Sequence, residues 1–101
     1  MAEIRYSPSR TRCQIRLINL DEGWSGGKRL ITYHAYEYST GSLVAQATDE
    51  IEGAPPQSNY TFIEGLLQNT QYYIKCNVYD IENSYAVLAE LETDIFTTKT
   101  G

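Results

Sequence analysis

The side chains in this sequence that can do chemistry are few, and their spacing argues against most of it. His34 is the sole histidine, so neither a two-histidine zinc site nor a histidine relay can be assembled within the chain. A serine or cysteine nucleophile would need His34 as its base, and nothing in the spacing brings Cys13 or Cys76 towards it. The two cysteines are too few for a metal site and do not form a C-x-x-C pair. Both fall at inward positions of their strands and read as small hydrophobes. Gly23, Gly26 and Gly27 surround Trp24 in a loop between strands, where no helix follows to receive a phosphate. Asp49-Glu50-x-Glu52 lacks the alternating ligands and turn glycine of a calcium loop and reads as a solvated acidic loop. Asn59-Tyr60-Thr61 matches an N-glycosylation acceptor but lies inside an expected strand. No catalytic residue, metal or cofactor is expected from this set.

Tyrosine is the residue type that stands out, with nine copies. On the strand faces derived below, Tyr36 and Tyr38 share an outward side with Tyr73 and Tyr79 of a neighbouring strand. Such a patch offers large contact area at low rotamer cost, with hydroxyls to pair, as binding surfaces require. The same arrangement also fits cross-strand aromatic pairing that stabilises a sheet without binding anything, and the two readings stand side by side.

These residues must be positioned by strands. From Tyr72 the sequence alternates Tyr72, Ile74, Cys76 and Val78 with Tyr73, Lys75, Asn77 and Tyr79, the signature of a half-buried β-strand. Upstream, Ala2 to Tyr6 reads as an edge strand stopped by Ser7-Pro8-Ser9. Thr11 to Ile18 sets Cys13, Ile15 and Leu17 inward against Arg12, Gln14 and Arg16. Asn19 to Lys28 is a turn-rich loop. Arg29 to Tyr38 is a third strand with apolar surface on both sides, for which Ile31, Tyr33 and Ala35 are assigned inward. Leu43 to Thr48 follows as a fourth strand, and Asp49 to Ser58, carrying Pro55-Pro56, as a polar loop. Asn59 to Glu64 is the fifth. Its larger apolar pair, Tyr60 and Phe62, is out of step with Thr61 and Ile63, which points to a β-bulge near Ile63. Ile81 to Ser84 is a loop, and Tyr85 to Thr98 a closing strand whose Glu90, Glu92 and Asp94 discourage edge pairing.

Leu66, Thr70 and Tyr72, in the pattern L-x-x-x-T-x-Y at the start of the sixth strand, resemble the tyrosine corner of Greek-key sandwiches. With Gly65, the Ile74-x-Cys76-x-Val78 alternation and the final Thr97-Thr98-Lys99-Thr100, the chain resembles the fibronectin type III family over its C-terminal third. The family's usual tryptophan near the end of the second strand is replaced by Leu17, Ile18 and Asn19, and its corner proline by Gln68 and Asn69. The resemblance implies an all-β, seven-stranded antiparallel Greek-key sandwich, immunoglobulin-like, in one domain over residues 1–101. The first, second and fifth strands would face the third, fourth, sixth and seventh. In that arrangement the second and sixth strands lie opposite each other, so a disulfide between Cys13 and Cys76 is compatible with the fold, in a register unlike the immunoglobulin bridge. Trp24 either caps the core edge in place of the missing tryptophan or is exposed for binding.

The resemblance further implies a non-catalytic binding or spacer module of a larger extracellular, cell-surface or phage-virion protein, with a protein or glycan partner. An Arg-Gly-Asp signal is absent from the last loop. The alternative is a structural subunit that self-assembles through a sheet edge or the tyrosine face; as an isolated domain, a monomer is expected. A net charge of −5 with no evident basic stripe disfavours nucleic acid and anionic membrane. No apolar run approaches the roughly 18 residues that span a bilayer, and Met1-Ala2-Glu3 does not open a leader peptide.

Overall fold

The computed structural model describes residues 3–19, 27–52 and 58–100. Strands β1 (Glu3–Pro8), β2 (Arg12–Ile18) and β5 (Ser58–Glu64) form one antiparallel sheet in the order β1-β2-β5. The second sheet runs β4 (Leu43–Glu52), β3 (Lys28–Glu37), β6 (Gln71–Asp80), β7 (Ala86–Glu92), with β8 (Phe96–Thr97) also pairing β6. This is the expected Greek-key sandwich, with the expected division of strands between layers.

The period-two patterns read from the sequence decide which side chains are buried. Cys13, Ile15, Leu17 and Ile63 meet Ile31, Tyr33, Ala35, Tyr72, Ile74, Cys76 and Val78 in one core, closed at the end by Leu66 and Phe96. The inward assignment of Ile31, Tyr33 and Ala35 holds, since all three are fully buried. Their strand also brings Arg29 inward, and its guanidinium meets the Asp80 carboxylate at 3.2 Å.

The corner is built as the sequence pattern requires. Gly65 takes a φ of 80°, Leu66 turns into the core, and the Leu67 N–H donates to the Tyr72 phenol at 2.8 Å. Thr98 locks the same turn from the far end of the chain. Its hydroxyl accepts from the Thr70 N–H at 3.0 Å and donates to the Leu67 carbonyl at 2.6 Å.

Beyond one-residue shifts at strand ends, four features differ from the sequence reading. First, β1 continues to Pro8, which pairs with Cys13; as an outer strand it tolerates a residue without an N–H. Second, Asp49–Glu52 is strand rather than loop. The first half of β3 needs a ladder partner, and Asp49 and Ile51 turn half inward while Glu50 and Glu52 face water. Third, β5 has no bulge at Ile63: its register with β2 runs unbroken from Arg12–Glu64 to Ile18–Ser58, so Ile63 is buried and Tyr60 and Phe62 point outward. A one-residue slip would have flipped every side chain of the strand, and ladder continuity outweighs the size of two aromatic rings. The irregularities lie instead at Ala35/Tyr36 and Val78/Tyr79.

Fourth, the closing strand is interrupted at Thr93-Asp94-Ile95, giving β7 and β8. Thr93 is buried at the break, where its hydroxyl accepts from the Ile74 N–H at 3.0 Å while its own N–H donates to the Ile74 carbonyl at 2.9 Å. A side chain thus takes over part of the ladder where the backbone leaves it.

Candidate functional site

The break in the closing strand opens the outer face of the five-stranded sheet beside the tyrosines. Tyr36 on β3 and Tyr73 on β6 are directly opposite each other, and their rings stack with centroids 5.3 Å apart and planes inclined by 16°. Lys75 lies two residues along β6 on the same face, its ammonium 5.7 Å from the Tyr36 centroid and 5.9 Å from that of Tyr73. Both distances are within reach of a cation–π interaction. Past the end of β3, Tyr38 donates its N–H to the Gln71 carbonyl at 3.0 Å and leaves its ring half exposed.

Tyr38, Tyr73 and Lys75 form one wall of a groove of about 450 Å³, and Glu92, Thr93, Asp94 and Ile95 form the other. A second depression of about 430 Å³ continues from Lys75 and Glu92 along Asn77, Glu90 and Leu91. The site therefore combines aromatic platforms with one ammonium and several carboxylates in an open trough, suited to laying down an extended ligand rather than enclosing a small one.

Tyr36, Tyr38 and Tyr73 are thus brought together, and Tyr79 is not. It pairs with Leu30 at the other end of β6, and its hydroxyl accepts from Asn77 Nδ2 at 3.1 Å. Six residues of strand separate it from Tyr73, roughly 20 Å. Trp24, with Gly23 and Gly26, lies outside the described residues, as does Pro55-Pro56.

The cysteines form no bridge: Cys13 and Cys76 are both free and fully buried. They belong to the core as small hydrophobes, where burial pushes the thiols up to about 11 and about 12, respectively. Neither supplies a thiolate near neutral pH. His34 sits on the outward face of β3, opposite Lys75 and Gln46, with the sheet between it and Cys76. Among the described residues no group of three or more histidine, cysteine, aspartate and glutamate side chains gathers to hold a metal ion.

Asn59 is occupied structurally. Its amide donates to the Tyr33 phenol and to Asp49 Oδ2, each at 2.9 Å, tying β5 of one sheet to β3 and β4 of the other. Burial raises the Tyr33 pKa, so its phenol stays protonated. A sugar on the Asn59 amide would compete with these bonds in the folded chain. Asn59→Ala is expected to lower stability by about 1–3 kcal/mol, because it strands the buried phenol; an unchanged denaturation midpoint would show the tie to be idle.

The sequence reading found no gathering of basic residues, and the outer face of the opposite layer corrects it. Arg5, Arg12 and Arg16 point outward from the three-stranded sheet, with Arg5 directly opposite Arg16, and Arg16 opposite Tyr60. The Arg12 guanidinium rests 4.3 Å from the Phe62 ring centroid. Arg5 meets Glu3 at 3.0 Å and Arg12 meets Glu64 at 3.8 Å, both in exposed settings. The cue was present in the outward set Arg12, Gln14, Arg16, but only the antiparallel register adds Arg5 and the two aromatic rings.

No protein-family model matches the chain, and no curated protein matches it. Solved structures do match, and they identify the class of fold. The third fibronectin III domain of human KIAA0343 protein superposes with a TM-score of 0.60 at 12% identity, over 98% of this chain and 80% of that one. The sensor domain of the anti-sigma factor RsgI4 of Pseudobacteroides cellulosolvens gives 0.60 at 17% identity, over 99% and 75%. A β-glucuronidase of Bacteroides uniformis gives 0.64 at 11% identity, over 96% of this chain but 13% of the enzyme. The chain therefore has a fibronectin type III-like sandwich fold, and at these identities the likeness is one of fold alone.

Proposed function

We propose that this chain is a non-catalytic interaction module that binds a protein or glycan on the tyrosine-bearing outer face of its five-stranded sheet. Its setting is a larger extracellular, cell-surface or phage-virion protein. The observation that carries the reading is the trough beside the stacked Tyr36 and Tyr73, where Tyr38, Lys75, Glu92 and Asp94 offer aromatic faces and charged hydrogen-bonding groups to the same ligand. Aromatic rings exposed in a groove with polar groups at its rim give contact area and orientation together. The non-catalytic part of the reading is supported by buried, protonated thiols and by a lone histidine that the sheet separates from both cysteines. The module part is supported by the Bacteroides uniformis match, in which the same fold is a small portion of a long chain.

The double substitution Tyr36→Ala, Tyr73→Ala separates binding from sheet support. Losing the stacked pair is expected to cost roughly 1 kcal/mol, a fall in Tm of about 4–8 °C for a domain of this size. Retention of ligands identified by screening the wild type against soluble oligosaccharides and immobilised peptides should be abolished. Retention that survives while Tm falls would assign the pair to the sheet alone.

A further inference from the structure

The two outer faces of the sandwich are chemically complementary, and we infer that the trough on one copy receives the arginine face of a second copy of this chain. The inference rests on the trough being the binding surface, as proposed above, and names its occupant.

The arginine face is unusual for its own molecule. The chain has a net charge of −5 and eight basic residues, yet Arg5, Arg12 and Arg16 gather on one small sheet. Arg5 and Arg16 are directly opposite across an antiparallel pair, an arrangement that costs stability where like charges meet. Arg16 has no acidic partner among the described residues. Beside it Tyr60 is 57% exposed and Phe62 40% exposed. Arginine and tyrosine together are the residue types that dominate buried protein contacts, and a guanidinium is less strongly hydrated than an ammonium, so burying it at an interface is less costly.

Glu3 and Glu64 already answer Arg5 and Arg12 on their own face, and the trough supplies what Arg16 lacks. Glu90, Glu92 and Asp94 line it and its continuation against one positive charge among the described residues, that of Lys75. Carboxylates accept guanidinium in two parallel bonds, and the half-exposed Tyr38 ring offers a face for stacking. The two surfaces lie on opposite layers, so one copy cannot satisfy both by itself. Their pairing is head-to-tail, and such contacts extend into rows unless the rotation closes. Copies would stack across a thin dimension of a molecule measuring 43 × 22 × 19 Å.

The test uses two exposed charge reversals, Arg16→Glu on the arginine face and Glu92→Arg in the trough. Circular dichroism first confirms the folded state of each. Sedimentation velocity is then run at about 0.15 M salt, where screening over about 8 Å mutes the overall repulsion but spares direct contacts. Wild type should form dimers and longer rows as concentration rises from micromolar to millimolar. Each variant alone should associate on the order of 10-fold more weakly, or not at all. Mixed in equal amounts they should associate again, since each contributes one intact surface and the two reversed charges also meet with opposite sign. A monomeric wild type, variants that associate as wild type does, or a mixture that stays monomeric while wild type associates each overturns the inference. In the monomeric case, amide shifts at Tyr38 and Tyr73 on adding an arginine-rich peptide overturn the second copy while leaving the trough as a binding surface. Absence of both association and shifts overturns the inference, while the trough as a binding surface is decided separately by the ligand screen on the wild type and the Tyr36→Ala, Tyr73→Ala variant.

Discussion

Arg29→Ala is expected to destabilise the fold by about 3 kcal/mol, the lower end of the range for removing one member of a buried ion pair. Arg29 exposes 9% of its side chain and Asp80 21%, at a separation of 3.2 Å. Without the guanidinium, the Asp80 carboxylate is left partly dry and without its counter-charge. Residual exposure of Asp80 is what holds the loss to the lower end. Asp80 cannot swing away freely, because its Oδ1 also accepts from the Glu82 N–H at 3.2 Å and so starts the 3-10 turn Ile81–Asn83. Arg29→Lys keeps the charge but not the planar fork and should fall between wild type and alanine. Chemical denaturation reads all three; a midpoint that does not move for alanine would mean that water replaces the arginine without penalty.

Tyr72→Ala should cost still more, about 3–5 kcal/mol, since it empties a fully packed site beside Phe96 and Leu66. Tyr72→Phe keeps the ring and removes only the acceptor for the Leu67 N–H, so its cost is that of one stranded donor, about 1–3 kcal/mol. The difference between the two variants separates packing from the corner hydrogen bond. Equal losses would mean that the bond carries the corner alone, and a phenylalanine variant as stable as wild type would mean that it carries nothing.

The features read correctly from sequence are those that a single strand determines for itself. Alternation from Tyr72 to Val78, from Cys13 to Leu17 and from Ile31 to Ala35 placed the core, and the spacing Leu66, Thr70, Tyr72 placed the corner. What escaped depends on pairing between distant segments. Asp49–Glu52 is polar and reads as loop until β3 is seen to need a partner there. Tyr60 and Phe62, taken by size alone, demand burial until the unbroken ladder with β2 turns them outward. The interruption at Thr93 is invisible until its hydroxyl is found on the Ile74 N–H. Of the site, Tyr36, Tyr38 and Tyr73 were legible as one outward set, whereas the trough beside them exists only because the closing strand breaks. The arginine face required the register between β1 and β2.

That break also sets the order in which the protein gives way when pulled. Downstream of it, the chain end is fastened by the rungs Gln71–Thr97 and Tyr72–Phe96, by Thr98 in the corner, and by the Lys99 N–H on the Ser9 carbonyl. Force entering from the C-terminal side meets this short fastening before it reaches β7. The first yield is therefore expected to be a small extension that lifts Phe96 from the end of the core while β7 stays paired to β6.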